Sequence, residues 1–298
     1  QYNTGVGRQA LLSNTTASNN TAVGYQAAYT NSTGVDLVAV GAYALTANTT
    51  GGQNIGIGFN ALSGNTTGSF NTVIGSGQAG SNRGALGYNT TGSYNTAVGF
   101  QALISNSTAS NNTAVGYQAM YTNSTGGGQA FGYQALYSQT TGSNNNAFGY
   151  HALYANTTGY QNSAYGDGSL QANTSGLNNT AYGMQSLYSN TTASQNTAVG
   201  YQSLYNNTTN SYSTAIGYQA GYTSTEASVG SVYIGYNAGY ANTSGFNTGV
   251  GQRSLQSNTT ISNRLDMING DISTNTNTLE IGNSISNTGT INWTDGTI

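Results

Sequence analysis

The side chains with chemical potential in this chain are tyrosine, asparagine and threonine, not acids, bases or thiols. Charged residues make up 4% of the sequence, against about 25% in ordinary domains. The four cations are Arg8, Arg83, Arg253 and Arg264, and there is no lysine. A polyanion groove needs clustered lysine and arginine, so nucleic acid is not an expected partner. His151 is the one histidine. It stands where related segments carry glutamine, which makes it a surface variant rather than a catalytic base. Asp36, Asp167 and Glu226 lie in separate segments, whereas paired-carboxylate chemistry needs two groups roughly 5–9.5 Å apart. Asp266 and Asp271 fall near a short apolar pattern and are read as capping or solvating it. Without cysteine, disulfides and thiolate metal sites are excluded. Columns of neutral Asn and Thr are weak ligands for Ca²⁺. No enzyme activity, cofactor or metal is expected.

What recurs is a word. It reads NTAVGYQAMYTNSTG from Asn112 to Gly126 and NTAVGYQSLYNNTT from Asn196 to Thr209. A marker glycine follows the apolar residue at Gly7, Gly24, Gly41, Gly58, Gly75, Gly87, Gly99, Gly116, Gly132, Gly149, Gly166, Gly183, Gly200, Gly217, Gly235 and Gly251. Most intervals are 17 residues, with two of 12 on either side of Gly87. A period that steady means one unit stacked many times. It overrides the reading of the Gly-, Asn-, Ser- and Thr-rich composition as disorder.

Counting from the glycine as zero, the consensus is G-Y-Q-A-L-Y-S-N-T-T-G-S-x-N-T-A-V. The T-A-V-G-Y run alternates with period two, so Thr, Val and Tyr share one face and Ala and Gly the other. A-L-Y at +3 to +5 reads as a second short strand. N-T-T-G-S at +7 to +11 is turn chemistry. Two strands and a turn bury nothing alone, but stacked coils do, at about 4.8 Å per coil. The expected fold is all-β: a parallel β-solenoid, or β-roll, of about 16 coils over 1–257, on the order of 75 Å long. The lack of proline suits uninterrupted ladders. The two 12-residue intervals read as coils that each lost one piece.

After Ser257 the pattern changes. Ile261, Leu265, Ile268 and Ile272 follow an a/d spacing, so 258–273 is expected to be a short helix, either a coiled-coil neck or a cap on the last coil. Residues 274–298 read as a small β segment. No stretch approaches 18 apolar residues, so no membrane insertion is expected. The chain opens partway through a repeat and is read as a fragment or processed product.

Three surfaces are candidates. Tyrosines at +5, including Tyr121, Tyr137, Tyr154, Tyr188, Tyr205 and Tyr222, form a ladder. Exposed, it is a stacking surface for sugars; otherwise it is a buried or inter-chain aromatic spine. Asn-x-Ser/Thr sequons recur at +7, including Asn14, Asn31, Asn48, Asn106, Asn123, Asn156, Asn190 and Asn207. They are possible glycan acceptors, or an asparagine ladder made by turn geometry. Finally, Thr-x-Val rows such as Thr21/Val23, Thr113/Val115 and Thr197/Val199 would order water if they face outward.

The repeat resembles a known family. N-T-A-V-G-x-x-A, as in Ala114, Val115, Gly116 and Ala119, is similar to the head repeat of trimeric autotransporter adhesins and to repeats in phage tail fibres. The resemblance covers residue 1 to about 257. It implies a homotrimeric or self-assembling fibre, located outside the cell as a surface appendage or in a virion, that attaches to a surface through a cell-surface glycan or protein receptor. The competing function is an ice-binding solenoid built on the Thr-x-Val rows.

Overall fold

In the computed structural model the chain is a parallel β-solenoid. The structure describes residues 2–77, 83–223, 230–242, 246–256 and 265–267. Among these there is one short strand per coil, from β1 (Thr4–Val6) to β15 (Thr248–Val250), and then β16 (Leu265–Met267). They form a single parallel sheet in sequence order. Pairing is in register, so that Thr96, Ala97 and Val98 face Thr113, Ala114 and Val115. No helix is present among the described residues. Leu265–Met267 pairs with β15, so the expected helix does not run through that segment. The rest of 258–273, and 274–298, lie outside the described residues.

Each strand is the T-A-V run. Its alanine points inward and is fully buried, as at Ala22, Ala97 and Ala198. Threonine and valine point outward, as the period of two requires. Behind the sheet, Ala and Leu at +3 and +4 complete the core, for example Ala102, Leu103, Ala135 and Leu136.

The expected second strand is absent. A-L-Y is a turn in which the residues at +2 and +4 are left-handed: Tyr43 has φ 61° and Leu45 φ 53°. For leucine that conformation costs about 1–2 kcal/mol. Full burial of the same side chain returns about 1.5–3 kcal/mol, so the stack tolerates it in coil after coil. Cross-coil bonds hold the turn: Leu45 N donates to Ala61 O at 3.0 Å, and Tyr43 N donates to Tyr25 O at 2.9 Å. The marker glycines have φ between 117° and 146° where it is positive. They also touch. A Cβ on Gly24 would lie 2.6 Å from the carbonyl carbon of Gly41.

Gly87 is not a marker. β5 (Thr72–Ile74) pairs directly with β6 (Thr96–Val98), so Gly75 to Gly99 is one coil of 24 residues. Ala85 and Leu86 hold the +3 and +4 places, because Leu62 N donates to Ala85 O and Leu86 N to Ala102 O. Gly87 then sits at +5 and Tyr88 at +6. The two short coils are one long coil, with seven extra residues between Gly75 and Ala85 (24 − 17). The array therefore has fifteen marker glycines.

One core exchange shows how tightly the layers fit. Tyr233 replaces alanine inside the sheet and is fully buried. Leucine is missing at +4 in both flanking turns, where Gly221 and Gly239 stand. A Cβ on Gly221 would lie 2.8 Å from the Tyr233 ring, and one on Gly239 would fall on the ring itself. The Tyr233 hydroxyl takes the place of an asparagine partner and accepts from Asn242 Nδ2. Tyr233→Ala alone should cost about 3–5 kcal/mol through the cavity it leaves. Adding Gly221→Leu and Gly239→Leu rebuilds the consensus core and should recover most of that loss in denaturant titration. A triple variant no more stable than Tyr233→Ala would refute this exchange.

Candidate functional site

The sequon asparagines point into the solenoid. Asn31, Asn48, Asn106, Asn123, Asn156, Asn190 and Asn207 are fully buried, and only Asn14, in the first coil, is half-exposed. Most of the buried amides are committed twice, while Asn156 Nδ2 and Asn207 Nδ2 donate only within their own coil. Asn65 Nδ2 donates to Gly68 O of its own coil at 2.9 Å and to Asn48 Oδ1 of the preceding coil at 2.7 Å. Asn48, Asn89 and Asn106 repeat the arrangement. A glycan on the buried asparagines would displace both bonds and has no room in the stack. These residues form the ladder, and the glycan-acceptor reading is corrected for them. A second buried ladder runs at +13, where Asn71, Asn162 and Asn179 each donate to the preceding coil's asparagine. The first ladder is interrupted twice among the described residues: Asn156 Nδ2 reaches only Gly159 O while Gln139 Oε1 accepts from Asn145, and Asn190 Oδ1 and Asn207 Oδ1 have no hydrogen-bond partner.

The tyrosines at +5 are half-buried and stacked. Tyr121, Tyr137 and Tyr154 form one stack and Tyr188, Tyr205, Tyr222 and Tyr240 another, with centroids 5.0–5.1 Å apart and planes within 10°. Gln171 separates the two. Stacking along the array turns each ring face onto its neighbour and leaves edges and hydroxyls outside. Within a stack, therefore, a sugar finds no free ring face. The ladder is a half-buried aromatic spine. Burial pushes the hydroxyls of Tyr137 and Tyr205 above the ordinary phenol value, and the neighbouring tyrosines add to it.

The Thr-x-Val rows do face outward. Thr21 is exposed, Val23 is 38% exposed, and both columns run in register. Across β1–β15 neither column carries a charged residue. Threonine is replaced by Val38, Ile55, Gln129, Asn146, Ser163 and Val232. In mid-array the valine column becomes aromatic: Phe131, Phe148 and Tyr165 stack at 4.7–4.8 Å, and Tyr182 follows at 60% exposure. Tyrosines at +1 flank this strip, with Tyr117, Tyr133 and Tyr150 stacked and 41–50% exposed. The aromatic block was visible in the residue before the marker glycine, but its stacking follows only from the register.

No group of acidic, histidine or cysteine side chains fit to hold a metal occurs among the described residues. No described helix is long and apolar enough to cross a membrane. His151 takes a place in a surface ladder of glutamines, with Nε2 2.9 Å from Gln134 Oε1. Comparison with protein-family models, curated proteins and solved structures yields no match to this chain.

Burial lowers the His151 imidazole below its ordinary 6.5, and the Asp167 carboxylate offsets part of that. The folded state then holds fewer protons than the unfolded state just below that pH. Its contribution is complete above the unfolded value and is lost as pH falls towards and through the folded one. His151→Gln restores the ladder residue and should flatten the decline in melting temperature between about pH 7 and pH 5. A slope unchanged by the substitution would place the titration elsewhere.

Proposed function

We propose that this array is the shaft of a structural fibre that attaches to a surface, and that its outward sheet face is where copies of the chain meet. The observation that carries this reading is the strip formed by the −3 and −1 columns. It is uncharged, in register over β1–β15 and about 70 Å long at one coil per 4.8 Å. Val6, Ile74, Tyr182, Ile216 and Ile234 leave 38–60% of their surface on it. Monomeric soluble proteins rarely leave so continuous an apolar face to water, and a flat ladder of β-branched side chains buries well against an identical ladder. The resemblance to adhesin heads and tail-fibre repeats adds the number three, an extracellular or virion setting, and a glycan or protein receptor. Nothing in the reading calls for catalysis.

A second reading rests on the same face. Outward columns rich in Thr and Val, one place per coil, offer an uncharged lattice to water, as an ice-binding surface requires. The aromatic block from Phe131 to Tyr182 interrupts that lattice and fits a protein interface better.

Sedimentation velocity separates the two. The fibre reading expects an elongated three-chain species, reduced to monomers by Val115→Lys with Val199→Lys while the far-ultraviolet circular dichroism stays the same. A monodisperse monomer that shows thermal hysteresis would overturn it in favour of ice binding.

A further inference from the structure

The tyrosine spine has a gap that differs from the Gln171 break. At four consecutive +5 places the ring is replaced, by Thr46, Ser63, Gly87 and Ile104. Arg83, from the seven-residue insertion, lies beside this gap. The result is a bay of about 590 Å³ lined by Tyr43, Thr46, Phe59, Asn60, Ser63 and Arg83. That volume lies within the roughly 300–1,000 Å³ of small-molecule sites.

Several features show that the bay is built rather than left over. The Arg83 guanidinium lies over the Tyr88 ring at 4.9 Å, and its Nη1 donates to Gly87 O at 3.0 Å. Room for it comes from two glycines: a Cβ on Gly64 would be 2.7 Å from Arg83 Nη1, and one on Gly87 would be 2.7 Å from Arg83 Cβ. Tyr43 meets both Tyr25 and Phe59 edge to face, with planes 86° and 83° apart.

We propose that this bay binds a carboxylate-bearing pyranose, such as a uronic acid unit. The chemistry matches group by group. The guanidinium pairs with a carboxylate in a planar, charge-assisted geometry. The Tyr43 and Phe59 pair takes the apolar face of the sugar ring. The Thr46 hydroxyl meets a ring hydroxyl. The site would supply receptor chemistry to the attachment reading, but it is built within one chain and does not depend on assembly.

The test is saturation-transfer NMR on the full chain, with D-glucuronate, D-glucose and acetate as probes. Glucuronate should bind, and glucose and acetate should each bind at least about tenfold more weakly, given the strength of a charge-assisted bond. Arg83→Gln should weaken glucuronate to the level of glucose. Thr46→Tyr restores the consensus ring, leaves Arg83 in place and fills the bay. It should abolish binding without lowering the melting temperature, which separates ligand loss from misfolding. No transfer from glucuronate, equal affinity for glucose or acetate, or binding unchanged in Thr46→Tyr would overturn the assignment. An assembled fibre that fails to bind sinks this site alone, and a binding monomer sinks the fibre reading alone.

Discussion

Most asparagine amides inside the solenoid find two acceptors, one of them in the coil above or below, and Asn112 Nδ2 is the exception that finds none. Asn65 illustrates the rule: one hydrogen closes its own turn on Gly68, and the other reaches Asn48 in the next layer. An unpaired buried amide costs about 1–3 kcal/mol, so a coil that slipped register would lose at every layer. The apolar core alone would not impose this, because alanine and leucine tolerate small shifts. Polar ladders at +7 and +13 pin the coils, and the in-register sheet follows. The insertion before Ala85 obeys the same constraint. Beyond it the ladder resumes, with Asn89 Nδ2 donating to Asn65 Oδ1 at 2.8 Å.

Inside and outside are thereby decoupled. Inward positions accept exchanges only as sets, as with Tyr233 and the two glycines beside it. Outward positions drift freely: the −1 column passes from valine to phenylalanine to tyrosine and back without disturbing the sheet. Any function carried by this array therefore lies in what the outer columns present. The tyrosine stacks present edges, the strand face presents a charge-free strip, and the gap at Thr46, Ser63, Gly87 and Ile104 presents a lined bay.

Much of this was legible in the residues. The period of 17, the shared face of alanine and glycine and the parallel solenoid follow from the repeat and the alternation in T-A-V. Which face points inward does not follow from them, and three further features were hidden. A-L-Y looks like a strand because leucine and tyrosine favour extended backbone, yet its leucine is left-handed, a conformation that only burial and cross-coil bonding sustain. Gly87 passes for a marker because Leu86-Gly87-Tyr88 imitates Val-Gly-Tyr, and only strand pairing reveals the long coil. The sequons looked exposed because N-T-T is turn chemistry, but the turn aims its asparagine inward. The bay at Arg83 left a trace in the sequence, four successive losses of the +5 tyrosine once Gly87 is placed correctly.

The central claim is that buried asparagine ladders set the register of the whole array. Hydrogen exchange of the side-chain amides, read by NMR on asparagine-labelled protein, tests it most directly. The account predicts a large set of asparagine Nδ2 protons protected for as long as the core backbone amides, with Asn65, Asn89, Asn162 and Asn179 among them. Exchange of all asparagine side chains within the dead time, while the strand amides stay protected, would contradict it.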